Sequence, residues 1–480
     1  MNVSVLDEPE LEFRAGNRHI DPRHGIALFG PADADAPTAP KRIAAGLVGP
    51  AQAVDGVRRW LERCRDPIER KRAKPGQENM FPPFPGFTKD EGFGSELVFD
   101  DGLVRVIADR DLRRLTAEGS QRVVNEAVTT YFEAIQSLAE TNRCAVILVA
   151  RPDELRDADE PPAPAAAEDE ETETAGETRG DFHDQLKARA LILGCPLQLI
   201  RRETWDPNAR RTASDRRSLQ DEATRAWNLH TALYYKAGGT PWRMPRVSTE
   251  LASCFVGVGF FRTTDETQLH TAVAQVFNER GDGVVVRGGA ATVSKTDRQP
   301  HLSEHDSRQL LIDALSEYRT VHGHLPARVV LHKTSSFDSR ELAGFTAAAD
   351  EERVEHLEPI WIQRRDAPRL FRAGQLPPLR GTTLHLEEGA AVLYTRGSIE
   401  FFHTYPGLYV PRPLLVRPAR ASIDLIGASG EVLALSKMNW NNAQLDERDP
   451  LTLRTAGRVG AILKHVPFGQ AVATRYAYYM

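Results

Sequence analysis

Four residues between positions 182 and 242 have types and spacings suited to holding a phosphate. His183 and Lys187 are four apart, so on a helix they share one face. Gln198 falls in the next apolar stretch, and Lys236 ends the long amphipathic stretch after that. Groups at the ends of such elements converge at one edge of an α/β layer. Two ammonium groups there supply charge, while an imidazole and an amide supply directed hydrogen bonds to phosphate oxygens. Taken singly, Lys187 and Lys236 read as solvated helix faces; the chemistry lies in the set.

The elements that must position this set follow from periodicity. Leu103–Ala108 reads as a strand, and Gln121–Glu140 as a helix with Val124, Val128, Tyr131, Phe132, Ile135 and Leu138 on one face. Cys144–Ala150 is a continuous apolar run, as in a parallel strand buried on both sides. Helix Phe182–Leu193, strand Leu197–Ile200 and helix Leu219–Lys236 continue the alternation, closed by Gly238 and Gly239. Strand, helix, strand in this order implies an open α/β sheet. A second domain starts after Thr240-Pro-Trp-Arg, with strands Cys254–Arg262, Gly283–Arg287 and Arg328–His332 and helices Ser307–Val321, Asp338–Asp350 and Arg454–Lys464. Short strands are expected around Ala391–Tyr394, Phe401–His403 and Val432–Leu435. Residues 1–101 read as an irregular segment, apart from one amphipathic helix near Ala51–Cys64.

The 480 residues favour two or three domains, and 41% hydrophobic residues allow sizeable cores. The net charge of -6 argues against a protein coating DNA with its whole surface, so any basic groove is local. Part of the acidity is confined to an insertion over 152–180: residues 152–177 hold eleven acids and one base, which reads as a solvated loop. Cys64, Cys144, Cys195 and Cys254 form no CxxC pair, so neither a zinc ribbon nor a disulfide framework is implied. The acidic start lacks an apolar signal segment, and no apolar run matches a bilayer. The chain reads as soluble and cytoplasmic.

Two segments then carry a resemblance. Gly194-Cys-Pro-Leu-Gln-Leu-Ile-Arg-Arg-Glu-Thr204 and Trp227–Trp242, with its run Tyr235-Lys-Ala-Gly-Gly-Thr-Pro-Trp242, resemble the MID domain of Argonaute proteins. Phe255-Val-Gly-Val-Gly-Phe-Phe-Arg262, Pro326–Lys333, Lys437-Met-Asn-Trp-Asn-Asn442 and Arg475–Met480 resemble PIWI. At this length the chain is similar to short prokaryotic Argonautes. The resemblance implies a Rossmann-like MID domain over 102–245 and an RNase H-like PIWI domain over 246–480. It places the guide 5′-phosphate motif on His183, Lys187, Gln198 and Lys236. Where many Argonautes have another Lys one turn earlier, this chain has Ala232, so the balancing charge is expected from Arg201, Arg202, Arg225 or a divalent ion. The family implies Mg²⁺ at the 5′ phosphate, with the Met480 carboxylate as a ligand.

PIWI domains that cut use two metal ions held by carboxylates on central strands. The matching positions here are Gly259 and Thr334, the latter followed by Ser335, and none of these replaces a carboxylate. Asp265 and Asp338 fall beyond the expected places. The resemblance therefore implies a non-slicing protein. It binds a 5′-phosphorylated guide RNA, recognises single-stranded target DNA, and works with a separate APAZ-containing effector (TIR, sirtuin-like or nuclease) in defence against plasmids and phage. A heterodimer is expected, with a higher oligomer on target binding.

Other patterns compete. His301-Leu-Ser-Glu-His305 matches a zinc-peptidase motif, and a zinc hydrolase or residual nuclease is the alternative reading, but Pro300 and Ser303 place a helix start inside the motif. His322-Gly-His324 reads as a loop. Gly257-Val-Gly259 opens no dinucleotide fingerprint. Tyr476, Tyr478 and Tyr479 are suited either to stacking bases or to packing the chain end into a domain seam.

Overall fold

The computed structural model describes all residues except 1, 109, 112–120, 152–181, 210–219, 246–250, 264–268, 278–282, 388, 408, 468 and 471–472, with backbone only at 121–122 and 270–277. The acidic insertion at 152–180 and Asp265 therefore lie outside the described residues.

The chain begins with β1 (Asn2–Val5) and a small hairpin of β2 (Leu11–Glu12) and β3 (Arg18–His19). A parallel sheet follows, built from β4 (Arg42–Pro50), β5 (Glu96–Val98), β6 (Val104–Ile107), β7 (Val146–Ala150) and β8 (Leu197–Ile200). Its order is β5-β4-β7-β8, with β6 also paired to β4. Parallel strands need crossovers, and these come from helices such as Ala51–Arg63, Gln121–Thr141 and Phe182–Ala190. β7 is buried at every residue, as its unbroken apolar run requires. Residues 1–101, read as irregular, thus supply β4, which sits inside this sheet. Small residues (Ala44, Ala45, Gly46, Gly49) dilute its apolar run, so periodicity is weak there.

The second sheet has nine strands. They are β9 (Ser253–Arg262), β10 (Leu269–Phe277), β11 (Gly283–Val286), β14 (Arg328–Lys333), β15 (His356–Gln363), β16 (Thr382–Leu386), β17 (Ala390–Leu393), β18 (Leu414–Pro418) and β1, with β12 (Ala291–Val293) and β13 (Pro300–Leu302) as a separate hairpin. The order is β1-β16-β17-β18-β15-β14-β9-β10-β11, and β14 runs parallel to both β9 and β15. Helices Glu304–His322 and Ser339–Glu351 cover one face of the β9–β14 region. Helix Leu451–Leu463 lies against the other. Two expected strands differ. Val432–Leu435 closes the helix Leu425–Leu435, because a short apolar run fits a buried helix as well as a strand. Residues 400–402 form a 3₁₀ turn ending at His403, which has φ 52°.

Aromatic side chains knit the two sheets together. Trp242 Nε1 donates to the Lys437 carbonyl at 3.3 Å, and Trp440 Nε1 donates to the Trp242 carbonyl at 3.1 Å. Tyr235 stacks on Trp440 with ring centroids 4.8 Å apart and planes 7° from parallel. All three rings are buried, so the indole N–H groups must be paired internally, and they are.

Helix Leu451–Leu463 approaches β9 so closely that side chains are excluded on that side. A Cβ on Gly257 would lie 2.1 Å from the Thr452 carbonyl oxygen, and one on Gly259 would lie 2.9 Å from the Ala456 Cβ. Gly257→Ala is expected to cost about 3 kcal/mol, the upper end of overpacking penalties. Gly430→Ala, in a helix with open space around it, is expected to be neutral or to gain up to about 1 kcal/mol. Urea unfolding of the two variants checks this; equal effects would contradict the close packing.

Candidate nucleic-acid 5′-end cleft

His183, Lys187, Gln198 and Lys236 all line one cleft of about 430 Å³ at the junction of the two sheets. His183 and Lys187 lie one turn apart on helix Phe182–Ala190; Gln198 is on β8, and Lys236 ends helix Glu222–Lys236. His183 Nδ1 lies 2.7 Å from Asp184 Oδ1, which orients the ring. Lys187 is buried and donates to the backbone oxygens of Tyr479 and Met480. Lys236 is 1% exposed and donates to Leu197 O at 3.0 Å and to Gln198 Oε1 at 2.5 Å. An ammonium has three donors, and Lys236 uses two on these oxygens. Burial, then the like charges of Lys187 and Arg458, hold its pKa well below the ordinary lysine value.

The opposite wall comes from the second lobe and was not read from the sequence. Arg454 and Arg458 lie one turn apart on helix Leu451–Leu463, and both line the cleft, as does Arg151 after β7. Arg454 donates through Nη2 to Met438 O at 3.2 Å, while its Nη1 is buried without a protein partner. Asn439 and Asn442 donate to Glu447 Oε1 at 2.8 and 3.1 Å. Burial works to raise the Glu447 carboxyl, but the Arg454 charge and these amides outweigh it and lower its pKa. The sequence signal was present: two arginines four apart on a helix whose other face carries small and apolar residues.

Of the three arginines expected to replace the charge missing at Ala232, only Arg201 lines the cleft. Arg202 pairs with Asp206 at 2.8 Å and lies over Trp205. Arg225 donates to the Glu203 and Thr204 carbonyls, 2.9 Å each, with its guanidinium 4.9 Å from the Trp60 ring. Both are committed to local structure, and the compensating charge comes from Arg454 and Arg458 instead. Met480 does line the cleft. Mg²⁺ at a phosphate is held by one or two carboxylates together with phosphate oxygens and water. Here Lys187 donates to the Met480 and Tyr479 oxygens, and two amides donate to Glu447, so both acidic groups of this wall already accept hydrogen bonds from the protein.

At the positions that would carry cutting carboxylates, Gly259 faces Ala456, and the Thr334 carbonyl accepts from Trp361 Nε1 at 2.9 Å. Ser335 Oγ donates to Pro300 O at 2.9 Å. Asp338 caps helix Ser339–Glu351 in a capping box with Glu341. The zinc alternative loses its geometry. His301 is buried on β13, whereas His305 is exposed at the start of the next helix. The His301 ring lies between Glu341 Oε2 and Asp297 Oδ2, each 2.9 Å away. His301, Asp338 and Glu341 bring ligand atoms within 4.8 Å of one another, but the buried Lys333 ammonium already sits on both Glu341 oxygens.

No protein-family profile matches the sequence, and no curated protein matches it. Solved structures do match in three dimensions. One is Clostridium butyricum Argonaute bound to a guide DNA and a 19-mer target DNA: 13% identity, TM-score 0.64, covering 98% of this chain and 53% of that one. Another is A. aeolicus Argonaute: 14% identity, TM-score 0.57, covering 98% and 54%. The chain has an Argonaute-like fold. It spans about half the length of these Argonautes. The parallel sheet is the MID-like layer and the nine-stranded sheet the PIWI-like layer, which is the α/β MID-PIWI architecture. No helix among the described residues is long and apolar enough to cross a membrane.

The burial of Lys236 among like charges has a measurable sign. With its folded pKa depressed, Lys236 holds a proton more weakly in the fold than in the unfolded chain, so its contribution to stability improves as pH rises towards the unfolded value. Between about pH 7 and about pH 10, unfolding free energy should rise more for wild type than for Lys236→Met. Inorganic phosphate should raise the melting temperature of wild type and raise that of the variant much less. Parallel pH slopes, or equal phosphate effects, would contradict this account.

Proposed function

We propose that the chain holds the 5′ phosphate of a short guide in this cleft and pairs that guide with a target without cutting it. The observation that carries the reading is the convergence of His183, Lys187, Gln198 and Lys236 from one lobe with Arg454 and Arg458 from the other. A terminal phosphate carries up to two negative charges and three acceptor oxygens, which suits buried ammonium and guanidinium donors. Lys187, Lys236 and Arg454 bind it as charges; Gln198 and His183 orient it. The sequence resemblance adds Mg²⁺ at the phosphate, with the Met480 carboxylate as its protein ligand.

The sequence resemblance adds RNA as the guide and single-stranded DNA as the target. Recognition then rests on base pairing, while the protein contacts mainly the backbone. Lack of cutting is supported by Gly259 and Thr334 in place of carboxylates, and by the packing of Ala456 against Gly259. The downstream effect is assigned to a separate APAZ-containing effector bound as a heterodimer, in cytoplasmic defence against plasmids or phage. Target pairing would favour the active state of that complex.

Two experiments test this reading. By fluorescence anisotropy, wild type should prefer a 5′-phosphorylated RNA to its 5′-hydroxyl counterpart. Each charge-assisted contact removed in Lys187→Ala, Lys236→Ala should cost about 1.5–3 kcal/mol, so the doubly substituted protein should lose most of that preference. Equal affinity of wild type for both guides would sink the assignment. With guide, matched target and Mg²⁺ or Mn²⁺, the target should stay intact; a cut opposite the guide that vanishes on changing Asp265 or Asp338 would overturn the non-cutting reading.

A further inference from the structure

The loop between β15 and β16 has a composition unlike the acidic chain around it. Residues 364–376 contain four arginines (Arg364, Arg365, Arg369, Arg372) and one acid, Asp366. Phe371 stands among them in sequence and is 79% exposed, the highest figure for a large hydrophobic residue among the described residues. A lone exposed phenyl ring needs no explanation on a floppy loop. This loop is pinned. The Tyr394 hydroxyl, on a buried ring, accepts from the Leu370 N–H at 2.7 Å and donates to the Leu370 carbonyl at 3.3 Å. Ala367 and Leu370 pack on the core around Tyr394 and Leu384. At its far end, Ser398 Oγ donates to Pro377 O at 2.8 Å. Fixing Leu370 from both sides of its peptide leaves the next side chain, Phe371, projecting outward.

The base of the loop connects it to the cleft. Arg364 forms a two-pronged ion pair with Asp449, at 3.2 and 3.1 Å, and Arg448 donates to the Arg364 carbonyl. Asp449 lies just before Pro450, the N-cap of helix Leu451–Leu463, which carries Arg454 into the cleft. Arg454 lies in the first turn of that helix, five residues after Asp449. The Arg364–Asp449 pair thus ties the base of the Phe371 loop to the segment that leads into the cleft helix. Arginine side chains neutralise successive phosphates, and an aromatic ring between them stacks a base without reading its identity.

We infer that Phe371, flanked by Arg365, Arg369 and Arg372, is a base-stacking post for the guide strand beyond its 5′ end. The inference rests on the cleft holding that end. Charge selects the ligand: three exposed arginines within six residues of one exposed phenyl ring suit a phosphodiester chain, whereas an apolar protein contact would desolvate them at a cost.

The test uses the full chain with a 5′-phosphorylated RNA guide carrying 2-aminopurine at successive positions. In wild type at least one position should be quenched on binding. The quench should disappear in Phe371→Ala and return in Phe371→Tyr. Guide affinity should fall at least five-fold in Phe371→Ala and in Arg369→Ala, Arg372→Ala, the latter with a shallower salt dependence. Binding of a 5′-mononucleotide should be unchanged, and so should the ratio of 5′-phosphate to 5′-hydroxyl affinity. These readouts separate the two ideas: loss of phosphate preference in wild type strikes the cleft assignment, and the quench still reports on Phe371. Unchanged fluorescence and affinity in Phe371→Ala would overturn the inference. So would a variant that binds guide normally but fails to hold a protein partner.

Discussion

The structure depends on holding like charges together out of bulk water. Lys187 and Lys236 are buried at the junction of two sheets, with Arg454 and Arg458 facing them and Glu447 and Asp184 as the acids that line the same cleft. Burial first, and then the like charges of Lys187 and Arg458, leave the Lys236 ammonium weakly held. The fold tolerates this because its other contacts over-determine the geometry. Tyr235, beside Lys236, is stacked on Trp440 of the opposite lobe, while the Trp440 indole N–H donates to the Trp242 carbonyl and the Trp242 indole N–H to the Lys437 carbonyl. A site kept under electrostatic strain is preorganised for an anion: the repulsion is present before the ligand arrives and is relieved when it binds.

The same packing accounts for what the PIWI-like layer lacks. Helix Leu451–Leu463 presses Thr452 and Ala456 against Gly257 and Gly259 of β9. Positions 454 and 458 lie about 200° around the helix from 452 and 456, at 100° per residue, so the face away from the strand carries both arginines into the cleft. Closing the strand face and arming the cleft are two results of one helix placement. An aspartate restored at position 259 would have to displace the helix that supplies Arg454.

Legibility in the sequence followed how local each signal was. The four cleft residues from the MID-like layer were recoverable because His183 and Lys187 share a helical face and Gln198 and Lys236 end adjacent elements. Arg454 and Arg458 sat in an expected helix, but their partners come from the far side of the chain, and one sequence does not report that proximity. Arg202 and Arg225 illustrate the converse: the right residue type in the right neighbourhood, taken up by Asp206 and by backbone carbonyls. β4 was hidden by alanines and glycines in a strand buried on both sides. Strands β15, β16 and β18 lacked clean alternation because Pro359, Thr382 and Thr383, and Arg417 interrupt it.

The most direct measurement of the central claim is a ³¹P NMR titration of a 5′-phosphorylated oligonucleotide bound to the protein. Free in solution, such a terminal phosphate takes up its second proton near pH ~6. Held among Lys187, Lys236 and Arg454, the dianion is favoured, so the bound resonance should titrate well below that value, and it should return towards it in Lys236→Met. A bound 5′ phosphate that titrates as it does in free solution would contradict the account, because the cationic cleft would then not be where the guide's end resides.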